Sequence, residues 1–315
     1  CHKLQKGGNY MIDINNCNEV FLKEANKRIA SIEGLDLTDE EKTSRIDQIN
    51  KKIIHTNEVV KDGLLATSIL NFNDDTKRFT NLALLDHDIG RFKQMVLMGN
   101  YRDNELATSM GIKNHGILGR MVLNKVIKEQ VPQDKIYHEP IKKIVNDHVD
   151  KMNSDEELNV LLLNLFENYS MEEILSSAHK NNALSTITQI VEDVDRLDIY
   201  HQILDGRWTP IKVEDDIDPK VFDMFYNGEY LNMAKLREQG LWNANVGELV
   251  RLGFIDQIKL LSVAKVIKEE SIISRLKEVR QNPKAKDAFD YAEAKLDKMI
   301  ESSTDGITVT KVKRI

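Results

Sequence analysis

Apolar residues in this chain return at steps of three and four, and little interrupts them: its 315 residues contain 5 prolines and 15 glycines. That spacing lays a stripe along one face of an α-helix, and proline, the residue that most strongly ends a helix, is too scarce to break it often. Ile46, Ile49, Ile53, Val60 and Leu64 form one such stripe. The chain is therefore expected to be all-α, with strands few or absent. A hydrophobic share of 41% is enough for a substantial core, in one large or two modest domains.

Local signals place the helices. Thr38-Asp39-Glu40-Glu41 is a capping box, opening a helix that carries His55. Asn71 to Asp75 reads as a loop, followed by an apolar helix over Phe79 to Leu85 that delivers His87 and Asp88 at its C-terminal end. Gly90, Gly99 and the polar stretch Asn100 to Glu105 mark an irregular segment. A helix from about Gly116 to Lys128 then begins at His115, and Pro140 sits in the first turn of another that ends at His148. Ser154-Asp155-Glu156-Glu157 is a second capping box before a buried helix over Leu158 to Phe166, and a further helix from about Leu184 carries Asp195 and ends near Gly206. Val246 to Arg280 and Ala285 to Ile300 are long amphipathic patterns.

No internal repeat or low-complexity linker divides the chain, so one helical domain is expected. It comprises an N-terminal extension with a first helix over 1–37, a central domain over 38–210, and C-terminal helices over 211–315 packing on the same core before a polar tail. Cys1 to Tyr10 read as upstream or vector-derived sequence, with Met11 a candidate natural start.

The charge balance excludes some functions. With 44 basic and 51 acidic side chains the net charge is −7, spread along the chain rather than blocked, which argues against a nucleic-acid backbone binder. The basic cluster Lys311-Val312-Lys313-Arg314 reads as a solvated tail. No run approaches the ~18 apolar residues of a membrane helix, so no membrane partner is expected. Cys1 and Cys17 form no disulfide framework, and a reducing, cytoplasmic setting fits them.

The passage richest in chemistry is Leu84-Leu85-Asp86-His87-Asp88-Ile89-Gly90-Arg91-Phe92. An adjacent His and Asp behind an apolar run both lose water, and a divalent metal partners both at once. His55, His87, His115 and His148, with Asp88 and Asp195, sit on or at the ends of separate expected helices, which is how a bundle aims ligands at one interior point. Imidazole and carboxylate suit Fe, Mn, Zn, Ni or Co, and no cysteine lies nearby to make a thiolate zinc site. Six ligands are too many for one ion that also takes water and substrate. Two ions are the economical reading: His55, His87, Asp88 and Asp195 hold the first, His115 and His148 the second, and Asp88 bridges.

Leu84 to Phe92 resembles the signature of the HD-domain superfamily of metal-dependent phosphohydrolases. Asn114-His115-Gly116-Ile117-Leu118-Gly119 resembles that superfamily's second-metal histidine segment, Asn146-Asp147-His148 the next histidine, and Asp193-Val194-Asp195-Arg196-Leu197-Asp198 its closing aspartate helix. The likeness covers about His55 to Tyr200 and is fainter over Leu249 to Lys268. It implies an HD-domain-like helical bundle with additional helices at both ends, and ligand roles for His55, His87, Asp88, His115, His148 and Asp195. It further implies divalent ions drawn from Fe, Mn, Ni, Co, Zn or Mg. The implied reaction is hydrolysis of a phosphate ester of a small soluble molecule, a nucleotide or phosphomonoester, by a hydroxide formed at the ions.

In the same resemblance Asp88 and Arg91 are the catalytic pair. Arg91 falls where many binuclear members carry a substrate-contacting lysine, although a guanidinium forks onto two oxygens where an ammonium is a point charge. Tyr101, Arg102 and Asp103 are candidates for the substrate-facing wall. Asp86 departs from the usual Leu, Ala or Cys, and either orients a ligand imidazole or is solvated. Asp193 and Asp198 read as helix-surface acids. The ligand order also resembles the mixed-valent di-iron oxygenases that act on inositol or phosphonates. A third reading is a non-catalytic nucleotide-sensing module whose helices after Pro219 meet a partner, and a homo-oligomer is left open.

Overall fold

In the computed structural model, which describes residues 12–68, 70, 72–149, 183–207 and 216–302, helix follows helix and no β-strand forms among the described residues. The all-α expectation holds. The second capping box, the helix expected over Leu158 to Phe166, Trp208 and the basic C-terminal cluster lie outside the described residues.

Caps set most of the boundaries near the site. The helix α1 (Ile14–Glu33) starts at Asp13, whose carboxylate accepts the N–H groups of Asn15 and Asn16. Before α2 (Asp39–Ser68) the capping box forms as expected: Glu41 N–H donates to Thr38 Oγ1 at 3.2 Å, and Thr38 N–H to the Glu41 carboxylate at 2.9 Å. Asn73 caps α3 (Asp74–Asp86), and the chain passes through His87 and Asp88 directly into α4 (Ile89–Met98). A second helix, α5 (Asp103–Met110), follows Gly99, which closes α4 at a positive φ of 70°. The segment expected to be irregular around Gly90 is thus mostly helical. The helix α6 (His115–Gln130) begins at His115 as expected, capped by Asn114, which accepts the Ile117 N–H, and α7 (His138–Asp147) carries His148 just past its end.

The described residues fall into two compact units, one built from 12–64, 72–149 and 183–191, the other from 65–68, 70, 192–207 and 216–302. In the first, α4 packs on α6 and α6 on α7, while α1, expected as an extension, packs against α3, α4 and α6. Phe21 and Phe92 are fully buried with ring centroids 5.2 Å apart, and Phe79 lies beside Tyr137 at 5.5 Å. Each such ring contributes about 1.5–3 kcal/mol by leaving water.

Two glycines explain why these helices come so close. A Cβ on Gly90 would collide with the carbonyl oxygen of His115 and stand 2.5 Å from the Gly119 nitrogen. One on Gly116 would stand 2.6 Å from the carbonyl oxygen of Asn146. Only bare backbone lets the start of α4 touch the start of α6, and the start of α6 touch the end of α7. Gly90 therefore serves helix packing inside α4 rather than breaking the helix.

The helix α8 (Ala183–Leu204) supplies its residues up to Val191 to the first unit and the rest to the second. The second unit continues with α9 (Pro219–Tyr226), α10 (Met233–Glu238), α11 (Ala244–Leu252), α12 (Leu261–Glu269), α13 (Ile272–Arg280) and α14 (Lys286–Glu301). The long amphipathic pattern over Val246 to Arg280 is in fact three helices, broken by a 3-10 turn at Gly253–Gln257 and by Ser271 at φ 52°. Asp193 and Asp198, expected on the surface, are fully buried. Asp193 accepts the N–H groups of Lys259 and Leu260, both at 2.8 Å, and pairs with Arg196, fixing the entry to α12. Helical spacing assigns a residue to a face but not the partners that make burial of a carboxylate tolerable.

Candidate metal centre

His87 and Asp88 occupy the step between α3 and α4, so both side chains are pinned by two helices rather than carried on a loop. His55 arrives from the middle of α2, His115 from the first position of α6, and His148 from just after α7. His55, His87, Asp88 and His115 are buried, and the side chain of His148 is 5% exposed.

All five meet at one carboxylate. Oδ2 of Asp88 lies 3.6 Å from His55 Nε2 and 3.5 Å from His87 Nε2. Its other oxygen, Oδ1, lies 3.2 Å from His115 Nε2 and 3.9 Å from His148 Nε2, and those two nitrogens are 3.3 Å apart. The ligand atoms thus fall into two groups that can each hold a metal ion: His55, His87 and Asp88, and Asp88, His115 and His148. Two atoms that each sit ~2.1 Å from one ion stand roughly 3.0–3.4 Å apart, close to these separations. Most of them are too long for good hydrogen bonds.

Tautomers sharpen the point. His87 Nδ1 lies 2.6 Å from the carbonyl oxygen of Leu84, and His148 Nδ1 lies 2.8 Å from that of Val145. A carbonyl only accepts, so both rings donate through Nδ1 and, when neutral, turn a lone pair on Nε2 toward Asp88. His115 does the same through Nδ1–H to Oδ2 of Asp103 at 2.8 Å. Lone pairs facing a carboxylate repel one another unless a positive charge sits among them, either a ring proton or a metal ion.

The electrostatics match. Burial pushes the Asp88 carboxyl up, but the ammonium of Lys52, then His87, with His115 and His55 beside its oxygens, outweigh it and hold the group well below the usual carboxylate range. For Asp103 burial is likewise overcome, by His115 and by Arg91, and its carboxyl is held low. Asp88 and Asp103 therefore face the histidines as anions.

Arg91, Tyr101, Arg102 and Asp103 lie in the first unit with this centre. Nη1 of Arg91 donates to Oδ1 of Asp103 (2.9 Å), to the Tyr101 carbonyl (2.8 Å) and to Gln94 (2.9 Å), and its Nε lies 3.6 Å from Oδ1 of Asp88. The Tyr101 hydroxyl donates to the Gln48 carbonyl, and burial raises its pKa. Arg102 is exposed and paired with Glu105. Asp195, the sixth expected ligand, lies on α8 in the second unit and belongs to neither group. Asp86 is buried rather than solvated: it accepts the Gln130 amide at 2.9 Å, and burial pushes its pKa up to about 7.

Protein-family models, curated proteins and solved structures offer no match to this chain. Its chemistry is therefore read from its own atoms. Among the described residues no helix is long and apolar enough to cross a membrane.

The sequence pattern left out Lys52 and did not foresee the contact of Asp103 with His115. Lys52 pairs with Oδ2 of Asp88, and the signal for it was its position three residues before His55 on the same helix face. Asp103 was assigned to the substrate wall, whereas its carboxylate holds the ring of His115. Its spacing from His115 carries no helical signal, since Gly111 to Asn114 separate the two helices.

Proposed function

We propose that this chain is a metal-dependent phosphohydrolase of HD-domain type, cleaving a phosphate ester of a small soluble molecule. The observation that supports this reading is the division of Asp88, one oxygen to each pair of histidine nitrogens. His55, His87 and Asp88 would hold one divalent ion, and Asp88, His115 and His148 a second. Such ions supply Lewis acidity, which draws the pKa of water toward neutrality and offsets the charge of a phosphoryl group.

The chain's own residues do the rest. Leu84, Val145 and Asp103 fix the three ring orientations, so no reorganisation is required when ligand atoms are called on. Arg91 keeps Asp103 ionised and aimed, and adds positive charge beside Asp88 where an anionic substrate would arrive. Burial of the ligand set excludes bulk water and strengthens every charge within it.

The test is to load the purified chain with Mn, Co, Ni, Zn or Mg and measure hydrolysis of generic phosphomonoesters and phosphodiesters. Metal-dependent release of phosphate or alcohol is expected. A chain shown by elemental analysis to be loaded, yet inert toward both ester classes with every metal, rules the reading out.

A further inference from the structure

Lys52 has no role in the ligand pattern, yet it touches the central carboxylate. Its ammonium pairs with Oδ2 of Asp88, the same oxygen that His55 and His87 face. The side chain is 20% exposed, against 7% for Asp88, so it reaches the buried carboxylate from the wetter edge of the centre.

The two cations at the site differ in their commitments. Arg91 is held by Asp103, the Tyr101 carbonyl and Gln94, which leaves its guanidinium little freedom to turn. The ion pair of Lys52 is to Asp88, through an oxygen that an ion held by His55 and His87 would also claim. A divalent cation and an ammonium compete for that oxygen, and the ammonium, on a flexible four-carbon stem, is the one that can withdraw.

Charge decides what it meets next. Asp88 and Asp103 are matched by Lys52 and Arg91 when no ion is counted. Two divalent ions would leave the centre strongly positive, and a dianionic phosphate group offsets more of that excess than a singly charged ligand can. We infer that Lys52 is the anion-binding residue of this centre, donating to a phosphate oxygen once Asp88 is engaged by metal. This rests on the metal-centre reading above and names the charge class of its substrate, a phosphomonoester dianion.

The test uses the full chain, reconstituted with Mn, as wild type, Lys52→Met and Lys52→Arg. Metal content is measured by elemental analysis and the affinity for inorganic phosphate by calorimetry. Lys52→Met should keep the wild-type metal ratio and bind phosphate about tenfold more weakly or worse, with Lys52→Arg recovering most of the loss. Lys52→Gln is carried alongside in case the Met variant fails to fold. Unchanged phosphate affinity in the neutral variants, or loss of metal from them, overturns the assignment. A loaded wild type that binds no phosphate also overturns it while leaving the metal centre intact, whereas a wild type that takes up no metal removes both.

Discussion

Oδ2 of Asp103 stands 2.8 Å from Nδ1 of His115, and because an ionised carboxylate only accepts, it fixes which nitrogen of that ring carries the proton. The opposite nitrogen then faces Asp88 at 3.2 Å and His148 at 3.3 Å as a lone pair. Carboxylate behind imidazole in this way raises the basicity of the ring and holds its plane, which is what a metal-ligating histidine needs.

Asp103→Ala should therefore weaken the second group selectively. Metal titration is expected to show one site weakened by about 10–100-fold and the other, at His55 and His87, little changed. Equal weakening of both sites would mean that Asp103 supports the whole unit rather than one ring.

The contact between α4 and α6 is a second target, because Gly90 has no room for a side chain. Gly90→Ala must push the His115 carbonyl and the Gly119 backbone away, at a cost of about 1–3 kcal/mol. Urea unfolding should show a lower midpoint at an unchanged slope, with metal affinity reduced in parallel. A midpoint equal to wild type would contradict the packing account.

These two residues show what the sequence could and could not reveal. Helical spacing made the all-α class legible, and the order of His55, His87, Asp88, His115 and His148 made their shared site legible, since each sits at a helix end or on an inward face. Gly90 was misread because glycine signals a chain break and a close helix approach with the same letter. The burial of Asp193, the pairing of Lys52 with Asp88 and the division into two units depend on partners distant in sequence, which periodicity does not encode. Asp86 was ambiguous for the same reason, its partner Gln130 being 44 residues away.

Asp86 gives a pH prediction. Burial raises its pKa to about 7 in the folded chain, the Gln130 hydrogen bond opposing the rise, against an unfolded value of about 3.9. Between these values the folded chain holds more protons than the unfolded one, so stability falls as pH rises. The contribution is complete below pH about 4 and gone once pH passes about 7. Asp86→Asn, neutral throughout, should flatten this dependence in metal-stripped protein and exceed wild type in stability above pH about 7. An unchanged slope of unfolding free energy against pH in the Asn variant would refute it.

In the second unit, Asp193→Ala removes the acceptor for the Lys259 and Leu260 N–H groups and leaves Arg196 without one of its carboxylates. Loss of about 3–5 kcal/mol is expected, the range for breaking a buried charge pair. Denaturant unfolding measures it, and a loss under about 1 kcal/mol, the value of a surface pair, would show that Asp193 anchors nothing.

The central claim is that Asp88 joins two metal groups, and the metal-to-chain ratio tests it most directly. Elemental analysis of the reconstituted protein should give about two ions per chain, close to none in Asp88→Ala, and about one in His115→Ala. A wild-type ratio of about one that His115→Ala leaves unchanged, or an Asp88→Ala variant that still holds about two, would contradict the account.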